Sequence, residues 1–503
     1  MLNGSESLAT FVLLAAVVVI LVWGYNRAKA FGRLGILAWL QSIVLMTPWI
    51  LFFGLFTLGI YLNLVGVLFL LLTSIAVYIW LGKQLRAAGQ EALLQQKAAE
   101  RIKQEAEVTD TDNVPEISDS VEVNRDTIQE VSPIPDEDLA ELKVIFGIDT
   151  FFATETVLYQ DGAIFKGNLR GDADTTYSRM SQKLEAKFQD KYRLFLVESP
   201  EQKPVVVVLP KTNDPQTTTL AQKNLALILF IGTILTSLES ASLLQGFDLF
   251  SNFGRYGEAI PLSLGLWTVL IAHEIGHRVI ANRYNIRLSI PFFLPNWQIG
   301  SFGAITRFES LLPNRTALFD IAFAGPATSG IISLILLVTG LTISHPGSMF
   351  QLPTEFFRGS ILVGTLAKVV LGDALEAAMV DIHPLVVIGW LGLVITALNL
   401  LPAGKLDGGR IVHGIYGRKT ARRSTVATLI ILSIVALFNP TNPIPLYWAV
   451  LILFLQRDLE RPVQNELTEP DDSRAAWGLL SLFLALATLI PLSASLAGRI
   501  GLG

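Results

Sequence analysis

The residues best suited to chemistry are His273, Glu274 and His277, which form a His-Glu-x-x-His motif inside an apolar segment. Histidines four residues apart lie on one face of a helix, one turn above each other, so both rings can bind one metal ion. Glu274 lies beside them, where it can take a proton from water. Apolar residues 260–272 lead directly into the motif, and ionisable groups at membrane depth are costly and usually functional. The motif therefore predicts metal-dependent hydrolysis within a bilayer.

The composition is typical of a polytopic membrane protein, since 51% of the 503 residues are hydrophobic and only 16% are charged. The net charge of −5 gives no basis for nucleic-acid binding. Cysteine is absent, which excludes disulfides, cysteine–zinc sites and thiol catalysis. His345 and His383 fall in predicted outer connections and His413 in a basic inner loop, so none of these three is expected to be a ligand.

About ten segments are apolar enough to span a membrane, since a helical span needs about twenty mostly apolar residues. The predicted spans are 8–25, 34–57, 60–82, 222–242, 260–281, 316–343, 383–403, 424–439, 445–456 and 475–495. Every second connection carries Lys and Arg, as expected if both termini lie outside and the basic connections lie in the cytoplasm. This orientation places the motif ends of the metal-binding spans on the cytoplasmic side.

A soluble insert separates the third and fourth predicted spans. Residues 84–135 are expected to form a helix followed by a flexible acidic linker. From 136 to 211 the composition becomes globular, with helices predicted at 136–146 and 177–188 and strands at 162–169, 192–199 and 203–210. The predicted fold is thus an α-helical polytopic membrane protein with a small soluble α+β domain. The remaining divisions are N-terminal spans at 1–83, a catalytic membrane core at 222–456, and a C-terminal loop and last span at 457–503.

A third metal ligand is needed, because catalytic zinc sites usually have three protein ligands and one open position. The end of the seventh predicted span offers the segment Asn399–Arg410, with the sequence NLLPAGKLDGGR. Asp407 would lie between a broken helix and a Gly-Gly turn, which would let the backbone approach the metal closely. Taken alone, this segment is better explained as a helix terminus followed by a cytoplasmic turn.

The two motifs together resemble the paired motifs of the site-2 protease family of intramembrane zinc metalloproteases. Residues 323–330 look like the small-residue helix of that family. Residues 291–307 and 167–171 resemble its plant and cyanobacterial branch, called ethylene-dependent gravitropism-deficient and yellow-green. The resemblance runs from about Leu142 to the C-terminus.

The resemblance implies a site-2-protease-like core that cleaves membrane-spanning protein substrates with one Zn²⁺ per chain. His273, His277 and Asp407 would be the zinc ligands, and Glu274 the general base. Asn399 would orient the substrate or hold a developing oxyanion, although it could equally cap a helix end. Residues 286–310 are predicted to form a re-entrant hairpin lining the active-site cavity, whose edge could bind the substrate as an added strand.

Two other functions compete with the protease. A zinc-binding transporter or sensor would also need intramembrane histidines, although transporters usually carry several ionisable groups along a pathway. A catalytically silent membrane scaffold would keep the fold without the reaction. In each case the chain is expected to be integral to a plasma or thylakoid membrane, in contact with the lipid bilayer, without nucleic acid, and with its soluble domain on the cytoplasmic side.

Overall fold

The computed structural model describes residues 134–499, apart from 160, 161, 200, 440, 441 and 457, together with 22, 24–29, 32–57, 73, 74, 77, 78, 80–82, 84 and 85. The chain divides into two compact units, Met1–Thr127 and Ile128–Gly503. In the first unit, helix α1 (Gly32–Thr57) covers the predicted span 34–57. The predicted spans 8–25 and 60–82 and the linker 84–135 lie almost wholly outside the described residues.

The second unit begins with a four-stranded antiparallel sheet that shares one hydrophobic core with two helices. Its elements are α2 (Asp136–Ile145), β1 (Phe151–Tyr159), β2 (Gly162–Leu169), α3 (Ala173–Phe188), β3 (Tyr192–Glu198) and β4 (Pro204–Pro210). The strand order is β1-β2-β4-β3. Strand β1 is absent from the sequence prediction, because its polar residues blur the alternating pattern, and among residues 151–158, whose burial is described, only Phe151 is buried.

The rest of the second unit is mainly helical, with two short hairpins. The helices are α4 (Leu220–Leu244), α5 (Tyr256–Arg283), α6 (Arg315–Thr342), α7 (Thr354–Arg358), α8 (Ile361–Leu371), α9 (Pro384–Asn399), α10 (Asp407–Phe438), α11 (Ile444–Leu451), α12 (Asp472–Leu489) and α13 (Ala494–Arg499). The hairpins pair β5 (Phe292–Asn296) with β6 (Gly300–Ile305), and β7 (Phe350–Pro353) with β8 (Met379–Ile382). The β5–β6 hairpin lies within the segment predicted to be re-entrant.

Four helices in the described part of the chain are long and apolar enough to cross a membrane: Gln222–Leu244, Phe253–Arg283, Arg315–Thr342 and Asp407–Phe438. The count of ten spans is therefore not confirmed. The predicted seventh span is shorter than expected, because α9 has 16 residues and extends roughly 24 Å at 1.5 Å per residue. Most of its side chains are buried by neighbouring helices, so α9 is a central packing element.

Helix α6 packs against α5, α9 and α10, and small residues allow the close approach. A Cβ atom added at Gly276 of α5 would lie 2.5 Å from the Ala324 carbonyl oxygen of α6. At Gly389 of α9, a Cβ atom would lie 2.4 Å from the Leu337 backbone nitrogen. The first contact holds α5 close to α6, which positions the histidine motif, and the second holds α9 close to α6.

Residues 464–466 join the sheet to the helical core through backbone hydrogen bonds. The Leu196 N–H of β3 donates to the Gln464 carbonyl at 2.8 Å, and the Glu466 N–H donates to the Leu196 carbonyl at 2.9 Å. On the other side, the Asn465 N–H donates to the Pro313 carbonyl at 2.9 Å, just before α6 begins. The 464–466 segment therefore links the four-stranded sheet to the start of α6.

Candidate metal centre

Three predicted ligands converge between α5 and the start of α10. His273 and His277 lie one turn apart on α5, with their Nε2 atoms 3.0 Å from each other. The Asp407 Oδ2 atom lies 3.1 Å from His273 Nε2 and 3.4 Å from His277 Nε2. All three side chains are buried, and one potential ligand atom from each lies within 4.8 Å of the others.

The hydrogen bonds behind the two imidazoles fit a metal site. His277 Nδ1 lies 2.7 Å from the Ile321 carbonyl oxygen, which can only accept, so Nδ1 carries the proton and Nε2 has a free lone pair. His273 Nδ1 lies 3.0 Å from Ser329 Oγ, which in turn lies 2.9 Å from Thr396 Oγ1. Such partners orient metal-binding imidazoles. Two nitrogens and one carboxylate oxygen form a donor set that suits catalytic zinc.

Glu274 is buried beside the histidines, and one of its two carboxylate oxygens accepts a hydrogen bond while the other accepts none from the described residues. Its Oε1 atom accepts a hydrogen bond from Thr306 Oγ1, at the end of the β5–β6 hairpin. Its buried Oε2 atom has no hydrogen-bond partner among the described residues, although Arg278 Nε lies 3.5 Å away. A buried acceptor without a partner is costly unless something else occupies it. Glu274 Oε2 is therefore placed to receive a proton.

Asp407 lies in the first turn of α10, so the prediction of a Gly-Gly turn after Asp407 was wrong. The two glycines are needed for close packing instead. A Cβ atom at Gly408 would lie 2.0 Å from the Leu400 carbonyl oxygen, and one at Gly409 would lie 2.4 Å from the Gly404 carbonyl oxygen. The helix start is thereby pressed against the chain that follows α9, which brings Asp407 to the histidines.

Arg410 connects the carboxylate ligand to the hairpin, a role that the sequence analysis missed. Its Nη1 atom lies 3.8 Å from Asp407 Oδ1, and its Nη2 atom donates to the Thr306 carbonyl at 2.9 Å. Glu460 Oε2 accepts from Nε at 3.0 Å and from Nη2 at 2.9 Å. Arg410 lies inside the Asn399–Arg410 motif segment and Thr306 inside the predicted re-entrant segment 286–310, but neither was given this role, and nothing in the sequence marked Glu460.

Asn399 is the last residue of α9 and is buried. Its Nδ2 atom donates to the Phe302 carbonyl of β6 at 3.3 Å and to the Ile395 carbonyl of α9 at 2.9 Å. It also borders a small cavity that His277 and Asp407 line. The amide therefore joins the hairpin backbone to the helix end, close to the candidate ligands.

Ser329, which lies in the small-residue segment 323–330, contacts His273. The expected position of His413 in an inner loop was wrong. His413 lies within α10, where its buried Nε2 atom is 3.0 Å from Glu466 Oε1. This pair joins α10 to the 464–466 segment. The sequence could not reveal it, because its two members are 53 residues apart.

Gly325 provides a test of the packing around His277. A Cβ atom there would lie 2.2 Å from His277 Nε2, so Gly325→Ala must displace the imidazole. We expect Gly325→Ala to lose most of its bound zinc, measured by metal analysis of the purified protein. Gly330→Ala on the same helix is the matched control, because its Cβ would have Thr396 Cγ2 as its nearest neighbour, at 3.7 Å. Equal zinc content in both variants would contradict the placement of His277.

Comparison with known proteins matches two parts of the chain to families. The model of Peptidase family M50 matches residues 261–439, which include all three candidate ligands. The model of the EGY3 middle domain matches residues 140–216, the region of the four-stranded sheet. No solved structure gives a significant match.

Several curated proteins are similar over most of the chain. "Probable zinc metalloprotease EGY2, chloroplastic" of Arabidopsis thaliana is 40% identical over 365 residues, covering 71% of this chain and 65% of the relative. "Probable zinc metalloprotease EGY1, chloroplastic" of the same plant is 35% identical over 407 residues, covering 73% of this chain and 74% of the relative. The chain thus spans about 65% of the length of the first relative. The M50 match and the EGY relatives confirm the resemblance found in the sequence, and the chain belongs to peptidase family M50, in its branch of EGY zinc metalloproteases.

Proposed function

We propose that this chain is a zinc-dependent intramembrane endopeptidase that hydrolyses peptide bonds of membrane-spanning proteins. The observation that carries the proposal is the buried convergence of His273, His277 and Asp407, with Glu274 adjacent. The names of the relatives, zinc metalloproteases, support the same chemistry. A transporter would need further ionisable groups along a pathway through the membrane. Among the described residues, His273, His277 and Asp407 form the one group that could hold a metal ion, which favours the protease.

In the proposed reaction, His273, His277 and Asp407 hold one zinc ion. Zinc, when bound, would polarise the scissile carbonyl and lower the pKa of water towards neutrality. Glu274 Oε2 would accept a proton from the attacking water and return it to the leaving amine. Thr306 would hold the other oxygen of Glu274, so that the carboxylate keeps one orientation throughout.

The β5–β6 hairpin would present the substrate to the ligands. A helical substrate hides its peptide bonds, and pairing with a strand edge would expose them. Asn399 already donates to the Phe302 carbonyl of β6, so its amide is close to any chain that lies along this strand. We propose that Asn399 orients the substrate or stabilises the developing oxyanion, which supplies a few kcal/mol in other hydrolases.

We further propose a multi-pass arrangement, with N-terminal spans at 1–83, a linker at 84–135, a soluble domain at 136–211, a catalytic core at 222–456 and a last span within 457–503. The basic connections favour a cytoplasmic position for the soluble domain and for the motif ends of the spans. The membrane would be a plasma or thylakoid membrane, and the chloroplastic names of the relatives support the second.

Removal of the metal tests the proposed activity. We expect the purified protein to contain one zinc per chain and to cleave a model transmembrane substrate in detergent. Dialysis against a strong chelator should abolish cleavage, because water without zinc is a poor nucleophile. Added zinc should then restore it. A metal-free preparation that still cleaves would contradict the proposal.

A further inference from the structure

Neighbouring cavities lie between the four-stranded sheet and the candidate metal centre. An outer cavity of about 650 Å³ lies between the soluble sheet region and the helical core. An inner cavity of about 530 Å³ lies beside the β5–β6 hairpin and α4. Pro215, Glu309, Ser310 and Leu311 line both cavities, so the two cavities adjoin, and together they are called the groove below.

The inner cavity also opens towards the ligands. It shares Leu294, Ile305, Lys405, Arg410 and Gln456 with the small cavity that His277 and Asp407 border. Two of these shared residues, Leu294 and Ile305, belong to the paired strands of the hairpin. A polypeptide bound along the hairpin would therefore continue into the groove as it leaves the metal centre.

The inner cavity carries an excess of positive charge. Glu460 neutralises Arg410, because its Oε2 atom forms an ion pair with Arg410 Nη2 at 2.9 Å. Arg307 donates to Gln222 and Arg461 donates to the Asn213 carbonyl, both neutral groups. Within the described residues, neither these two arginines nor Lys405 has a carboxylate within ion-pair distance. Glu309 is the one other carboxylate among the residues that line the cavity, and it is held by Thr218.

The outer cavity has the opposite balance of charge, because the ionisable residues that line it are four carboxylates and two arginines: Glu185, Asp190, Asp214, Glu309, Arg193 and Arg287. Asp190 contacts both Lys211 and Arg193, and these hydrogen bonds hold the pKa of Asp190 below its usual value. Asp214 accepts from Arg193 at 2.8 Å. Of the two cavities, the inner one, which is nearer the metal centre, is thus the one lined by more cations than carboxylates.

We propose that the inner cavity binds the extramembrane segment of the substrate next to its span, and that Lys405, Arg307 and Arg461 select an acidic segment. The inference rests on the proposed protease function and specifies its substrates. A lipid headgroup would satisfy the same charges, but the groove continues between the soluble sheet region and the core, away from hydrocarbon. A polypeptide, which continues beyond the membrane surface, fits that path.

Selection of an acidic flank would be unusual on the cytoplasmic side of a membrane. Most spans carry Lys and Arg on their cytoplasmic flank, where we propose that this groove lies. A cationic groove repels such flanks and thereby rejects most membrane proteins, which is specificity gained by disfavouring the wrong partner. Substrates with acidic flanks would be accepted.

The test uses three model substrates with one shared span and an acidic, neutral or basic flank on the groove side. The full-length enzyme is assayed in neutral detergent, and kcat/KM is measured for each. We expect about a tenfold preference for the acidic over the basic flank, since each close charge pair in water contributes a modest factor. High salt should reduce the preference, because exposed charges are screened.

A second experiment reverses charges in the enzyme and keeps the same three substrates. The double change Arg307→Glu and Arg461→Glu should invert the ratio between acidic and basic flanks. Lys203→Glu is the matched control, because Lys203 is exposed on the soluble sheet and lines neither cavity. The control should keep the wild-type ratio.

The outcomes separate the two proposals. Cleavage of all three substrates by the wild type at equal rates would overturn the flank selection and leave the protease function intact. An effect of added anionic lipid with no effect of the flank would assign the cations to lipid headgroups and would also overturn it. Failure to cleave any of the three would remove the protease proposal, and this inference with it.

Discussion

The variant Glu274→Gln is expected to retain zinc while losing about 10²–10⁴-fold in kcat/KM, the usual contribution of general acid–base catalysis. Glutamine keeps the size of the side chain and can still accept from Thr306, but its amide cannot take a proton from water. The three ligand side chains are unchanged, so metal binding should persist. Zinc content and cleavage of a model transmembrane substrate are measured on the same preparation.

Glu239→Gln is the matched control for this change. Glu239 is also a buried glutamate on an apolar helix, but its carboxylate accepts from the Leu249 N–H at 3.0 Å, away from the ligands. Its replacement should leave cleavage close to that of the wild type. Undiminished cleavage by Glu274→Gln would exclude Glu274 as the general base. Loss of zinc from the Glu274→Gln variant would instead indicate that Glu274 has a structural role.

The second large effect is expected from Asp407→Ala, which should lose both zinc and cleavage. The change removes the carboxylate oxygen that lies 3.1 Å from His273 Nε2 and leaves two imidazoles as donors. Loss of an outer partner of a ligand already lowers metal affinity about 10–100-fold, so loss of a ligand should exceed about 100-fold. Zinc affinity is measured by competition with a chelator of known strength.

The comparison between Asp407→Ala and Glu274→Gln is the informative one. Both variants lose a buried carboxylate near the histidines, but only the first should release the metal. Arg410 keeps its hydrogen bonds to Glu460 and Thr306 in Asp407→Ala, which limits disturbance of the hairpin. Stoichiometric zinc at wild-type affinity in Asp407→Ala would show that the third ligand lies elsewhere.

The sequence alone determined the family and predicted the chemistry of the centre. The spacing of His273 and His277 is local, because a helix brings residues four apart onto one face whatever surrounds them. The apolar stretches likewise indicated a membrane protein, and regular patterns predicted most elements of the soluble sheet. These are properties that a residue and its near neighbours decide.

Tertiary structure decided which residues from distant parts of the sequence come into contact. Asp407 reaches His273 across 134 positions because Gly408 and Gly409 allow the start of α10 to pack on the end of α9. Thr306, Ser329 and Glu460 belong to other elements, and no local pattern predicts that they contact Glu274, His273 and Arg410. The unmatched cations of the groove also lie far apart in sequence. Their association depends on packing between elements, which a one-dimensional pattern does not contain.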